Sequence, residues 1–285
     1  MEQRYVLELD GMLAGRMFSV KGGNKIGRHV KEESSDLYST KKLASIEFEP
    51  LVFTFGAGMS RKFYEWVQSS LIDNQFPLNG SVIHVDNHSR MLHRQAFYSA
   101  MVSQIVFPDL DKFSQREAIL QAVVRPHYVR TILDEVHSLG VYVSPLAKVW
   151  RVNQFRMTIE GLSFDCAHIF KIQELSEKLA KHIDQASIDH NSLSLEFPNI
   201  TIELALPHGL EFVKWHQESV RSGRTNIPHR DGTIEFLLPG SSDVWMFRLH
   251  LFDMGIVSIS KMSSSYRVQL VYRRMSLETG GSTIK

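Results

Sequence analysis

The sequence predicts a mainly β fold with some α structure (α+β), built from two tandem β-sandwich or half-barrel domains, each with one flanking helix. The chain has 285 residues, about twice the length of a typical single domain, so two compact cores are expected. Hydrophobic residues make up 43% of it and charged residues 22%, as in ordinary globular proteins. The decisive observation is an internal repeat, because the second half follows the pattern of the first.

The repeat is clearest where the chain is aligned with itself at a separation of 149 residues. This register superposes Phe63 on Phe212 and Trp66 on Trp215, without a gap, and so matches two of the four tryptophans. The other identities are Glu47-Phe48 with Glu196-Phe197, Gln68 with Gln217, and Ser70 with Ser219. Few positions are identical, but their single register indicates a duplicated domain.

Both copies contain the same succession of patterns. Residues 51–55 and 200–204 alternate apolar and other side chains as half-buried strands do, and each run precedes an apolar stripe with helical spacing, at 59–72 and 208–221. A predicted β-hairpin follows each helix, formed by Ser81–Val85 and Gln95–Val102 in the first copy and by Thr233–Leu238 and Val244–Phe252 in the second. Opening strands are predicted at Val6–Gly11 and Arg156–Gly161, and closing strands at Leu120–Val124 and Val268–Tyr272, with Gln121 aligned to Gln269.

The copies differ most after the opening strands. Gly22–Leu43 is rich in glycine and lysine and is predicted to be an extended loop, whereas the spacing of Leu175, Leu179 and Ile183 predicts a helix within Glu174–Asp189. The predicted organisation is a first domain at 1–130, a linker with a short helix at 131–148, a second domain at 149–279 and a C-terminal tail at 280–285.

Composition excludes several classes of protein. Lys+Arg number 32 and Asp+Glu 31, which leaves no basic excess for binding a phosphate backbone, so specific nucleic-acid binding is disfavoured. Cys166 is the only cysteine, which excludes an internal disulfide and a cysteine-based zinc site. We expect no signal peptide and no membrane segment, because a basic start with an apolar stretch and a run of about 18 apolar residues are both missing.

The whole pattern resembles the tail tube protein family of contractile phages and related bacterial contractile injection systems. The stretches that carry the resemblance are Tyr5–Gly11, Ile46–Phe55, Phe63–Trp66, Asn79–Val82 and Ala118–Arg130 in the first copy, and Phe155–Gly161, Leu195–Leu206, Phe212–Trp215, Asp231–Ile234 and Tyr266–Glu278 in the second. Ordinary tube subunits of this family have one domain. Tandem domains resemble its hub and tube-initiator components, in which a trimer presents pseudo-sixfold symmetry to a hexameric tube.

The resemblance implies a structural, non-enzymatic component that joins the baseplate hub or spike to the inner tube. Its implied partners are other copies of itself in a trimeric ring, the tail tube protein, and hub or spike proteins. It would be made in the bacterial cytoplasm and assembled into a virion tail or an injection particle, where a phage's DNA would pass through the lumen. An inner tube subunit and a tail-end cap are alternatives. A ring also suits small sheets physically, because it pairs their free edges.

We predict no catalytic, cofactor-binding or metal-binding residues. The richest cluster of possible ligands is His84, Asp86, His88 and His93, which a metal-dependent hydrolase would use, but solvated histidines beside a hairpin turn are the interpretation we favour. The stretch Gly22–Arg28 lacks the ending of a phosphate-binding loop. Neither Cys166 nor the acidic residues Asp109, Asp111 and Glu117 lie in a catalytic motif. Trp66 and Trp215 are interpreted as core or interface anchors.

Overall fold

The computed structural model describes residues 5–32, 40–71, 76–86, 91–132, 149–162, 166–182, 192–221, 229–241 and 243–280. Within these ranges the chain is mainly β, as predicted, and contains nineteen strands and two α-helices. Neither of these helices is long and apolar enough to cross a membrane. The predicted linker helix falls in 133–148, outside the described residues.

The first half contains ten strands and one helix. In chain order they are β1 (Tyr5–Leu9), β2 (Met12–Lys21), β3 (Lys25–Glu32), β4 (Thr40–Phe48), β5 (Leu51–Phe55), α1 (Arg61–Leu71), β6 (Leu78–Val85), β7 (Met91–Val106), β8 (Leu110–Asp111), β9 (Leu120–Arg125) and β10 (Tyr128–Ile132). The helix begins and ends within the predicted span of 59–72.

Six strands of the first half close into a barrel, in the order β1, β2, β5, β9, β7, β6 and back to β1. Closure depends on β7, which pairs with β6 through 91–100 and with β9 through 101–106. Such closure leaves fewer free edges than an open sheet would. The sequence predicts a sandwich or a half-barrel, and the strand pairing of the first half is that of a closed barrel.

The second half repeats this order of elements, except that its described residues contain no counterpart of β8. Its elements are β11 (Phe155–Ile159), β12 (Ile169–Gln173), β13 (Ser176–His182), β14 (Ser192–Glu196), β15 (Ile200–Ala205), α2 (Leu210–Arg221), β16 (Arg230–Leu237), β17 (Trp245–Lys261), β18 (Ser265–Val271) and β19 (Arg274–Thr279). A short 3-10 turn at Leu206–His208 precedes α2. The strands pair as in the first half, with β17 bridging β16 and β18 as β7 bridges β6 and β9.

One difference separates the two barrels. In the first, β1 pairs with β2, whereas among the described residues of the second the corresponding strands β11 and β12 are not paired. The edge of β12 is instead paired with β8, which belongs to the first half of the chain, through Ile172 with Leu110 and Lys171 with Asp111. The second barrel is therefore completed by a segment of the first half.

The two halves also share unusual local geometry. The long strands β7 and β17 carry Ser99 and Asp253 with positive φ angles of 47° and 54°. Each of these residues donates its backbone N–H to a side-chain oxygen on the preceding strand, Asn79 Oδ1 at 2.9 Å and Asp231 Oδ1 at 3.0 Å. A positive φ is costly for residues other than glycine, so the same strained position with the same compensating bond supports the predicted duplication.

The helices share a further detail. Phe63 and Trp66 of α1, and Phe212 and Trp215 of α2, are buried, which confirms that the tryptophans anchor the core. Buried side chains of both halves belong to one contiguous cluster. The buried interiors of the two halves are therefore joined by packing between them.

The differing segments are more alike than predicted. Gly22–Leu43 is not an extended loop, because β3 and β4 form a hairpin there. The helix predicted within Glu174–Asp189 is also wrong over its described part, where β13 pairs with β14 to form an equivalent hairpin. The helical spacing of Leu175 and Leu179 is overridden by strand pairing, since sheet formation depends on partners distant in sequence. Ile183 lies outside the described residues.

The predicted register of the closing strands is also wrong. Thr54 of β5 pairs with Gln121, and Glu203, its equivalent in β15, pairs with Arg267. Gln121 therefore corresponds to Arg267, not to Gln269. A shift by two residues keeps every side chain on the same face of a strand, so the apolar pattern alone could not detect it.

Candidate assembly interface

The two halves are joined by main-chain hydrogen bonding between sheets. The hairpin formed by β13 and β14, here called the second hairpin, adds to the C-terminal half of β7 (101–106). Ser176 pairs with Val106, Glu177 with Ile105, and Lys178 with Gln104. Phe107 extends this contact by donating its backbone N–H to the carbonyl oxygen of Leu175 at 3.0 Å. The second half thus lengthens the sheet of the first by strand addition.

Helix α1 forms the second part of this interface. Tyr64 stacks on Phe247 of β17, with ring centroids 5.5 Å apart and an interplanar angle of 27°. Gln68 reaches β19, where its Oε1 accepts a hydrogen bond from the backbone N–H of Leu277 at 2.6 Å. The face of α1 that turns away from its own barrel is therefore occupied by the second half.

The segment around β8 forms the third part. On one side, Lys112 donates its backbone N–H to the carbonyl oxygen of Phe170 at 2.9 Å. On the other side, Asp111 donates its N–H to Val152 at 3.1 Å, and Ala118 donates to Trp150 at 2.9 Å. The segment lies between β12 and the residues leading into β11, which is the gap left in the second barrel.

Burial at this interface perturbs two titratable groups. Desolvation raises the pKa of the Tyr64 phenol well above its ordinary value of 10.0. The phenol donates a hydrogen bond to the carbonyl oxygen of Ala57 at 3.0 Å, which requires the protonated form. Desolvation also lowers the pKa of Lys112, whose Nζ donates to the carbonyl oxygen of Ala167 at 2.9 Å. Tyr64 thus contributes packing between the halves, and Lys112 contributes a hydrogen bond between them.

Replacing Tyr64 by phenylalanine is expected to make the protein less sensitive to alkali. The unfolded chain ionises the phenol near pH 10, whereas the folded chain retains the proton because burial raises the pKa. The stability conferred by the protonated phenol is complete below that pH and falls as the pH rises, by at most about 1.4 kcal/mol per pH unit. The free energy of unfolding, measured by urea titration at increasing alkaline pH, should fall less steeply for Y64F than for the wild type. Parallel slopes would contradict this assignment.

Replacing Gln68 by alanine is expected to lower the free energy of unfolding by about 1–3 kcal/mol, because the buried backbone N–H of Leu277 loses its acceptor. Gln217, the equivalent residue of α2, is exposed in the single chain. Gln217→Ala is therefore the matched control and should change stability by no more than about 0.5 kcal/mol in dilute solution. Equal losses in the two variants, measured by denaturant unfolding, would argue against the proposed role of Gln68.

The histidine cluster considered in the sequence is only partly assembled in the described residues. His84 and His93 face each other across β6 and β7, with ring centroids 4.9 Å apart, and His84 also stacks on Tyr5 at 4.8 Å. His88 lies outside the described residues. In the part of the chain that the structure describes, no three side chains of metal-binding type converge. The pair is thus placed by strand register and aromatic stacking.

The other residues considered in the sequence lie in strands, in the core or between the halves. Gly22–Arg28 runs from the end of β2 into β3, and no helix begins there. Cys166 is buried in the core. Asp109 accepts hydrogen bonds from the Gln173 side chain at 3.2 Å and the Glu174 backbone at 3.4 Å, which places it between the halves.

Sequence reasoning missed the contacts that join the halves. Gln68 and Gln217 are a repeated identity in the sequence, and a polar residue beside the apolar stripe of a helix is the available signal for a contact. The two-residue strand β8 had no such signal, since it is too short to show alternation. Its role depends wholly on the edge of β12 with which it pairs.

Comparisons with known proteins do not assign the chain to a family. No protein-family model matches the chain, and no curated protein matches it. A solved structure of an extracellular contractile injection system, the PVC sheath-tube complex in the extended state, contains a chain with a TM-score of 0.39 at 12% identity, covering 47% of this chain and 91% of that one. The anti-feeding prophage (AFP) tube terminating cap gives a TM-score of 0.39 at 14% identity, covering 47% and 91%. The AFP baseplate gives 0.37 at 12%, covering 46% and 94%.

Proposed function

We propose that this protein is a structural ring component of a phage tail or contractile injection system, and not an enzyme. In this proposal, three chains form a pseudo-sixfold ring that joins the baseplate hub or spike to the inner tube. Its partners are further copies of the chain, the tail tube protein, and hub or spike proteins. The protein is made in the bacterial cytoplasm and then assembled into the particle.

The observation that carries this proposal is the way in which the duplicated barrels are joined. The second hairpin adds to β7 of the first barrel, so that one sheet continues from one domain into the next. Each chain then supplies two successive positions of a ring, and the two positions differ in sequence. Three such chains give six positions, which suits a hexameric tube on one face and a less symmetric partner on the other.

The shared interior of the two halves supports a rigid building block. One contiguous cluster of buried side chains spans both barrels, and Tyr64 and Gln68 of α1 contact β17 and β19 directly. A large apolar interface between domains restricts their relative motion. Fixed geometry between successive positions is what a ring of defined size requires.

The test is the copy number and symmetry of the chain in assembled particles. Electron cryomicroscopy of isolated tails or injection particles, with quantitative mass spectrometry, should find three copies in one ring between the hub and the tube. A single copy per particle, or absence of the chain from particles, would contradict the proposal. High copy number along the tail would identify an inner tube subunit, and a ring at the far end would identify a tail-end cap.

A further inference from the structure

Each half carries a counterpart of the surface that the other half uses in the contact between them, and among the described residues these counterparts are uncovered. Residues 104–106 of β7 pair with the second hairpin, and the adjoining Ser103 is 5% exposed. The pairing of β7 with β9 shifts register between Val102 and Gln104. The pairing of β17 with β18 shifts in the same way between Ile256 and Ser258, within the equivalent part of β17 (255–261). Val257 therefore corresponds to Ser103, and it is 47% exposed.

The contact faces of the two helices also differ in burial. Tyr64 of α1 is buried against the second half, whereas Val213, its equivalent in α2, is only half-buried. Val220, near the end of α2, is among the exposed large apolar side chains of the described residues. The contact face of α1 is thus repeated on α2, and in the single chain nothing described covers it as the second half covers α1.

The complementary surface lies on the first half. The hairpin formed by β3 and β4, here called the first hairpin, is a separate two-stranded sheet in the described structure. It corresponds to the second hairpin, because each hairpin follows a barrel strand through a residue with a positive φ angle. These residues are Gly22 after β2, with 88°, and Glu174 after β12, with 65°. Ile26 and Ile46 of the first hairpin are exposed.

Strand β10 completes the complementary surface. It corresponds to β19, and the pairing of each with the long strand places Thr131 where β19 has Leu277. Leu277 is buried and bonded to Gln68, whereas Thr131 is exposed. One end of the chain therefore presents a strand edge and a helix face, and the other end presents the hairpin and strand that would cover them.

We propose that a second copy of this chain occupies the uncovered surface, with β3 of one chain adding to 255–261 of the next. This inference rests on the proposed ring and names its interface. By equivalence with the second hairpin, Asn24 pairs with Ser260, Lys25 with Ile259, and Ile26 with Ser258 of the next chain. Helix α2 packs on β10 of the neighbouring chain. The side-chain oxygen of Gln217 accepts a hydrogen bond from the backbone N–H of Thr131 in that chain.

The proposed contact is head to tail, because the two surfaces lie on different domains. Such an interface cannot be satisfied within a two-chain complex that uses the same patch on both subunits. It forms a ring if its rotation closes and a filament if it does not. Unpaired strand edges are also prone to pair with other chains, and strand addition gives that tendency a defined register.

Cysteine pairing tests the register directly. We would prepare Ile26→Cys and Ser258→Cys as separate full-length variants, since both positions are accessible and the single native cysteine is buried. Opposed residues in an antiparallel pair have Cα atoms about 4.5–5.5 Å apart, within the range for a disulfide. On oxidation, the mixture of the two variants should give a covalent dimer on non-reducing gels, and each variant alone should stay largely monomeric.

The intrachain contact supplies a matched control. Gln104→Cys with Lys178→Cys joins the equivalent pair between the halves, so oxidation should change its mobility without adding mass. The I26C/S258C double variant should form a ladder that ends at three chains if the ring closes. Either variant crosslinking to itself as readily as to the other, or no mixed dimer in purified protein and in particles, would overturn the proposed interface.

The outcomes separate this interface from the proposed function. A three-chain ring seen in particles without the disulfide would retain the function and exclude this pairing. A mixed dimer whose double variant extends far beyond three chains would retain the pairing and contradict the closed trimeric ring.

Discussion

Replacing Val257 by aspartate is expected to abolish association between chains while leaving the single chain folded. In the single chain this side chain is 47% exposed, so a carboxylate there remains solvated. In the proposed assembly it occupies the position of Ser103, which is 5% exposed and adjoins the residues of β7 that pair with the second hairpin. Burying an unpaired carboxylate costs several kcal/mol, and each 1.4 kcal/mol is a factor of ten, so we expect affinity to fall at least about a hundredfold.

The measurement is the concentration dependence of the particle mass by light scattering. The yield of the disulfide between the Ile26→Cys and Ser258→Cys variants, each with V257D added, is measured beside it. Thermal unfolding at low concentration should match the wild type, because exposed substitutions usually change stability by no more than about 0.5 kcal/mol. A V257D chain that assembles normally would show that this edge is not buried between chains.

Val271→Asp is the matched control for this experiment. Val271 lies on β18, next to β17, and is 39% exposed. Its equivalent in the first half is Arg125, which stays exposed although the second hairpin lies nearby on β7. V271D adds the same charge to the same sheet outside the proposed contact, so association should persist. Equal loss in both variants would indicate general charge repulsion and not a specific interface.

The fold was predictable to the extent that local apolar patterns determine it. Residues 51–55 and 200–204 alternate because they line barrels, and Trp66 and Trp215 repeat because each helix anchors its barrel with one. These features survive divergence, since a core position tolerates few side chains. The pattern is sufficient to find the repeated order of elements and to place both helices within two residues of their ends.

The errors arose where partners distant in sequence decide the structure. Leu175 and Leu179 have helical spacing, yet β13 is held as a strand by β14 and β7. The sequence pattern aligns Gln121 with Gln269, because a two-residue shift leaves every side chain on the same face of the strand. The candidate interface was beyond prediction for the same reason. Pairing of the second hairpin with β7, and of β8 with β12, gives no signal in either segment alone.

Replacing Leu110 by alanine is expected to destabilise the whole chain, although the residue lies in a two-residue strand. Leu110 is fully buried and pairs with Ile172 at the edge of the second barrel. Truncating a buried leucine removes its packing and leaves a cavity, which costs about 2–5 kcal/mol. Phe113, in the same segment, is 81% exposed, so Phe113→Ala should cost much less.

The form of the unfolding curve distinguishes a local from a shared effect. Trp66 reports on the first half, and Trp150, Trp215 and Trp245 report on the second. Because one contiguous cluster joins the halves, fluorescence and circular dichroism should follow one coincident urea transition, and Leu110→Ala should move its midpoint without splitting it. Two separate transitions, with only the second-half signal displaced, would mean that β8 closes a barrel that folds independently. A single displaced transition instead requires that each barrel depend on the other, which is the rigidity that fixed ring geometry demands.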